Sequence, residues 1–136
     1  MNILITGGAS GLGEAIVKKL AGNNLNKVYF TYCRSKEKAS VLEKEFKNCK
    51  AFFCDFQLAD SLSKFIGELN QLDLDVLINN AMTGISKNYF HKTDPSQFLS
   101  GFQQNILPTI QLTQEAIKVF RKKKSGKIIT ILSSAI

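Results

Sequence analysis

Three glycines near the start of the chain, Gly7, Gly11 and Gly13, carry the first chemical signal. They belong to Thr6-Gly7-Gly8-Ala9-Ser10-Gly11-Leu12-Gly13, which follows the apolar run Ile3-Leu4-Ile5 and precedes Glu14-Ala15-Ile16-Val17-Lys18-Lys19-Leu20. That order predicts strand, tight turn, helix. One glycine lets the chain turn sharply, another removes side chain where a diphosphate approaches the backbone, and the last lets helix and strand pack closely. The first N–H groups of the helix have no intrahelical partner, so an anion fits at Ser10, Gly11, Leu12 and Gly13. Farther along, Asp55, Asn79-Asn80 (followed by Ala81), Asn105 and Ser133 are polar residues at the ends of apolar runs or inside a long helical pattern. Taken singly, each is an ordinary turn, strand-end or helix residue. His91 stands alone in a polar stretch and reads as surface.

These groups need elements to position them. Gly22-Asn23-Asn24 ends the first helix. Val28–Tyr32 is a second strand, and Ser35 can cap a helix running to about Phe46. Ala51–Cys54 is a third strand. Asp60 is expected to cap a helix with Leu62, Phe65, Ile66 and Leu69 on one face. Asp75–Ile78 shows no polar alternation, as expected of a strand covered on both faces. Residues 82–94 read as loop. One long helix is expected from Asp94 or Pro95 to Lys122, kinked by Pro108, with Gly126 ending that region. Lys127–Leu132 is a fifth strand. Strands alternating with helices predict a parallel α/β sheet with right-handed crossovers.

Composition narrows the class. At 136 residues the chain is one domain by size, long enough to bury a core. Cys33, Cys49 and Cys54 form no C-x-x-C pair, lie among apolar residues and read as buried, reduced thiols of a cytoplasmic protein. No run suits a membrane span. The net charge is +7, with lysines at helix ends and solvent faces, which favours solvated surface over nucleic-acid binding. An anionic cofactor still gains from that field.

Together the motifs resemble the short-chain dehydrogenase/reductase family over the whole chain. Thr6 to Gly13 matches its T-G-x-x-x-G-x-G. Asp55 matches an Asp that touches the adenine, and Asn79-Asn80-Ala81 resembles N-N-A-G. Asn105 matches the Asn of the kinked helix, and Ser133 matches the serine that orients the substrate carbonyl. The resemblance implies a doubly wound Rossmann sheet of order 3-2-1-4-5, with residues 1–136 as the dinucleotide-binding domain. It implies hydride transfer between NADP(H) and a small carbonyl or alcohol substrate. Asn105 would support a proton relay through water. Gly7, Ser10, Gly11, Leu12, Gly13, Arg34, Asp55, Asn80 and Ala81 would hold the cofactor. No metal is expected. A homo-oligomer is compatible, with the long helix near Arg121 as the contact surface.

Cofactor choice rests on the end of the second strand. A carboxylate there would bind ribose hydroxyls and favour NAD. This chain has Cys33-Arg34-Ser35-Lys36 instead. Arg34 can pair bidentately with a 2′-phosphate, a charged hydrogen bond of roughly 1.5–3 kcal/mol, or about ten- to a hundredfold for NADP over NAD. The plainer reading is that Arg34 only stacks on the adenine.

Two departures from the family stand out. Met82 replaces the glycine of N-N-A-G. The family's Tyr-x-x-x-Lys has no counterpart: Tyr29, Tyr32 and Tyr89 are followed four residues later by Cys33, Lys36 and Thr93. Tyr32–Lys36 fits the spacing but lies at the adenosine end. A positioned proton donor is worth about a hundred- to ten-thousandfold, so this chain alone is expected to be nearly inactive. The alternative is a non-catalytic NADP(H)-binding or interaction protein. The fifth strand is expected to be an apolar edge, covered by further residues or by a partner.

Overall fold

The computed structural model describes residues 1–84 and 88–132; the Ser133 assignment therefore lies outside the described residues. The sheet is parallel and ordered β3-β2-β1-β4-β5. Its strands are β1 (Asn2–Ile5), β2 (Lys27–Tyr32), β3 (Cys49–Phe53), β4 (Val76–Asn79) and β5 (Lys127–Thr130). Helices α1 (Gly11–Ala21), α2 (Lys36–Glu45), α3 (Ala59–Leu69) and α5 (Leu107–Lys123) cover its two faces, while the short α4 (Pro95–Gly101) buries no residue.

The lack of alternation in the central strands has a direct cause. In β1, Ile3 and Ile5 pack in one core with Val17 of α1 and Leu42 of α2, while Leu4 packs in the other with Phe65 of α3 and Leu112 of α5. Both faces of the strand are dry from Ile3 to Ile5, so these three positions must all be apolar. β5 differs. Among the described residues it pairs only with β4, and Ile128 and Ile129 remain 40% and 46% exposed.

Several local expectations are corrected. Leu58, not Asp60, caps α3; Asp60 sits in the first turn, where its charge still complements the helix dipole. The expected single helix from Asp94 is broken into α4, a π-helical turn at Phe102–Ile106, and α5. Pro108 has no N–H, and in α geometry its ring would meet the Gln104 carbonyl, so the wider turn before it relieves that clash. Asp94 does cap α4, accepting from the Ser96 N–H at 2.8 Å. α5 stops because Lys124 takes a left-handed conformation (φ 55°), not because of Gly126. Gly126 instead lies under Phe120, where a Cβ would fall 2.1 Å from the ring. Ser35 caps α2 by position without a side-chain hydrogen bond. Of the three cysteines, Cys33 is exposed, Cys49 is half-buried and Cys54 is buried. Cys33 is exposed because the chain leaves the sheet after Tyr32. Burial pushes the other two thiols up to about 11 and about 12, so both stay protonated at neutral pH.

The edge of the sheet opposite the glycine turn is fastened by one cation. Lys123 Nζ lies 2.5 Å from Asp75 Oδ1 and donates to the carbonyls of Asp73 and Leu74. Asp75 Oδ2 accepts the Asn2 N–H at 2.7 Å. The Lys123 hydrogen bond, then that of Asn2, holds the Asp75 carboxyl below its ordinary 3.8. A lowered carboxylate stabilises the fold above its unfolded-state pKa and stops doing so as pH falls through the folded-state value. We therefore expect Asp75→Asn to lower the urea midpoint at pH 7, with the gap to wild type closing below about pH 3.8; urea titrations across that range check it.

Candidate dinucleotide site

Several of the residues singled out in the sequence, Asp55, Asn80 and Ala81 among them, converge with the glycine turn at the carboxyl ends of β1, β2, β3 and β4. There they line a trough of about 450 Å³. Gly7, Ala9, Ser10, Leu12 and Gly13 form its middle; Arg34, Ser35, Asp55, Phe56 and Gln57 form one end; Asn80, Ala81, Met82 and Thr83 form the other. Gly11 is outside the lining and serves the turn with φ 53°. Asn105 is also outside it.

The turn is held from both neighbouring strands. The Gly7 N–H donates to Thr31 Oγ1 at 2.9 Å, and the Gly8 N–H donates to the Thr31 carbonyl at 2.8 Å. On the other side Thr6 Oγ1 accepts from the N–H groups of Asn80 and Ala81, both at 2.9 Å. Asn80 Nδ2 answers by donating to the carbonyls of Thr6 and Gly7, at 3.0 and 3.2 Å. The Asn80 amide is thus spent on fastening the turn to β4. Gly13 presses on the same place: a Cβ there would sit 2.1 Å from the Gly7 carbonyl oxygen and 2.6 Å from Asn80 Nδ2.

The residues present fit a dinucleotide. No side chain stands between the turn and α1, the first N–H groups of α1 point their positive end at the trough, and the exposed Ser10 hydroxyl makes no capping bond. Arg34 is exposed and takes part in none of the ion pairs among the described residues. Asp55 Oδ1 accepts the Gln57 N–H at 2.9 Å, which turns the chain into α3. Burial first, then the Asp55 charge, raises the Cys33 thiol above its usual value. His91 stacks on Tyr89 at the surface, outside the lining.

Asn105 acts through its neighbour. Its Oδ1 accepts the Thr83 N–H at 2.8 Å, and its Nδ2 donates to the Thr83 carbonyl at 2.9 Å and to the Gly101 carbonyl at 3.0 Å. The π turn carries Asn105 to this position, so the helix break and the wall of the trough are one construction. Thr6 enters the sequence reading only as the first residue of the glycine motif, and Thr31 and Thr83 do not enter it as site residues. Thr6 and Thr31 are each 2% exposed. Threonines ending two strands otherwise covered on both faces are the signal that was there to find, since a buried hydroxyl must have partners. Nothing in the sequence marks Thr83.

Three comparisons bear on this geometry. A family model described as short chain dehydrogenase matches residues 1–136. Among curated proteins, a tropinone reductase homolog of Arabidopsis thaliana is 31% identical over 99% of this chain and 52% of its own length. A 3-oxoacyl-[acyl-carrier-protein] reductase of Staphylococcus aureus is also 31% identical, over 96% of this chain and 54% of its own length. Among solved structures, a metagenomic short-chain oxidoreductase in complex with NADP superposes with a TM-score of 0.82 at 28% identity, covering 99% of this chain and 62% of that one. The chain spans about half the length of the curated relatives it matches.

Thr6→Val keeps the volume and removes the acceptor shared by two N–H groups. We expect a loss of roughly 1–3 kcal/mol in urea unfolding, the cost of leaving such donors unpaired. The family match over the full sequence, on a parallel sheet of the same order with its glycine turn at the strand crossover, shows that this chain belongs to the short-chain dehydrogenase/reductase family.

Proposed function

We propose that the trough binds NADP(H) and that the chain supplies the cofactor-binding half of an oxidoreductase acting on small carbonyl or alcohol compounds. The observation that supports this most is the position of Arg34: a guanidinium outside every ion pair among the described residues, at one end of a trough whose centre is a glycine turn facing a helix N-terminus. The nicotinamide, when bound, supplies or accepts the hydride. The chain's own residues bind and orient. The N–H groups at Gly11–Gly13 and the Ser10 hydroxyl take the diphosphate, Arg34 and Ser35 take the 2′-phosphate, and Asp55 takes the adenine. The wall from Asn80 to Thr83 bounds the reacting end, and orienting the substrate oxygen is the part the family resemblance gives to Ser133. Asn105 holds that wall. Its part in a proton relay falls to its main-chain carbonyl, which accepts from Thr109 Oγ1 at 2.7 Å.

Without Tyr-x-x-x-Lys the 136 residues alone turn over slowly, by the hundred- to ten-thousandfold that a positioned proton donor contributes. Free thiols at Cys33, Cys49 and Cys54 suit a reducing cytoplasm, and no helix among the described residues is long and apolar enough to cross a membrane. The competing reading is a non-catalytic NADP(H) binder. It gains from the engagement of the whole Asn105 carboxamide in fixing Thr83 and Gly101. NADPH consumption with a panel of carbonyl compounds separates the two.

Two binding experiments check the site. Arg34→Ala should weaken NADPH about ten- to a hundredfold and leave NADH nearly unchanged in fluorescence titrations; equal loss for both overturns the 2′-phosphate assignment. Gly13→Ala should remove measurable binding of both, because its methyl drives α1 away from the Gly7 carbonyl.

A further inference from the structure

Met82 occupies an unusual place for a large apolar side chain. It is 66% exposed, yet it belongs to the trough lining beside Ala81 and Thr83. Its backbone has little freedom to retract. The preceding residue is held by the Ala81 N–H bond to Thr6 Oγ1, and the following one by the pair of hydrogen bonds between Thr83 and Asn105. A thioether fixed this way in the wall of a ligand-sized trough is placed to meet what the trough binds. Methionine is unbranched, flexible and polarisable, and packs well on flat conjugated surfaces.

We propose that Met82 is a contact residue for the dinucleotide and, through the same contact, a peroxide-sensitive site: bound cofactor shields the sulfur, and oxidation of the sulfur weakens the cofactor. This rests on the NADP(H) reading of the trough. In the oxidation a sulfur lone pair attacks one oxygen of a hydroperoxide. The S–O bond forms as the O–O bond breaks. The departing oxygen leaves with the electron pair and takes up the proton lost from the transferred oxygen, giving water from hydrogen peroxide. The thioether is oxidised by two electrons and the peroxide is reduced. The resulting sulfoxide is polar and chiral where the contact had been apolar.

The molecule carries its own control. The only other methionine, Met1, is 60% exposed and lies at the far end of β1, outside the trough lining. The chain is treated with hydrogen peroxide with and without saturating NADP+, and sulfoxide at each methionine is followed by peptide mass spectrometry. Calorimetric titration with NADP+ is run on the same samples and on Met82→Leu, which has no sulfur to oxidise but retains all three cysteines. NADP+ should slow oxidation at Met82 several-fold and leave Met1 unchanged. Oxidation should weaken NADP+ about two- to tenfold in the wild type, and peroxide should not alter binding to Met82→Leu. Equal oxidation of Met82 with NADP+ demonstrably bound overturns the inference, as does equal peroxide sensitivity of Met82→Leu. Absence of NADP+ binding to the untreated chain overturns the reading of the trough, and this inference with it.

Discussion

The close approach of α1 to the end of β1 is the constraint on which the rest of the molecule depends. Gly13 leaves room for the Gly7 carbonyl, and that carbonyl accepts from Asn80. Three elements therefore meet at one point: the end of β1, the start of α1, and the chain just after β4. This point is also where the sheet changes direction, with β2 on one side of β1 and β4 on the other. A crevice opens there because successive helices leave toward opposite faces. The lock formed by Thr6 and Asn80 keeps that crevice from widening, and Thr31 does the same from β2.

A second lock lies deeper in the chain and acts at longer range. Pro108 prevents a continuous helix, the backbone widens into a π turn, and Asn105 reaches the Thr83 backbone from it. Two residues that look unrelated in sequence, a proline in a helix and an asparagine three positions earlier, produce one wall. Met82 lies between the two locks, with Ala81 tied to Thr6 and Thr83 tied to Asn105.

The opposite rim has a different character. Lys123, Asp75 and Asn2 join α5, β4 and β1 by charge and backbone hydrogen bonds where the strands begin, far from the crevice. β5 is the exception to the well-covered sheet. Its isoleucines stay partly exposed because β4 is its only strand neighbour among the described residues.

The strands, the order of alternation and the glycine turn were legible because they depend on local facts: apolar runs buried on both faces, residues that only turn, and a helix that begins directly after the glycine turn. The exposed guanidinium at Arg34 was legible for the same reason, since it follows β2 directly. What only the tertiary structure decided was the pairing of distant polar groups. Asn80 with Gly7, Asn105 with Thr83, and Lys123 with Asp75 are separated by 73, 22 and 48 residues. A single side chain in sequence does not disclose which backbone carbonyl or N–H it will meet, because that depends on how the helices dock on the sheet. The same holds for Cys33, whose apolar neighbours suggested burial although the chain has already left the sheet there. Hydrophobic period reports which face of an element is dry; only packing decides which buried donor finds which acceptor.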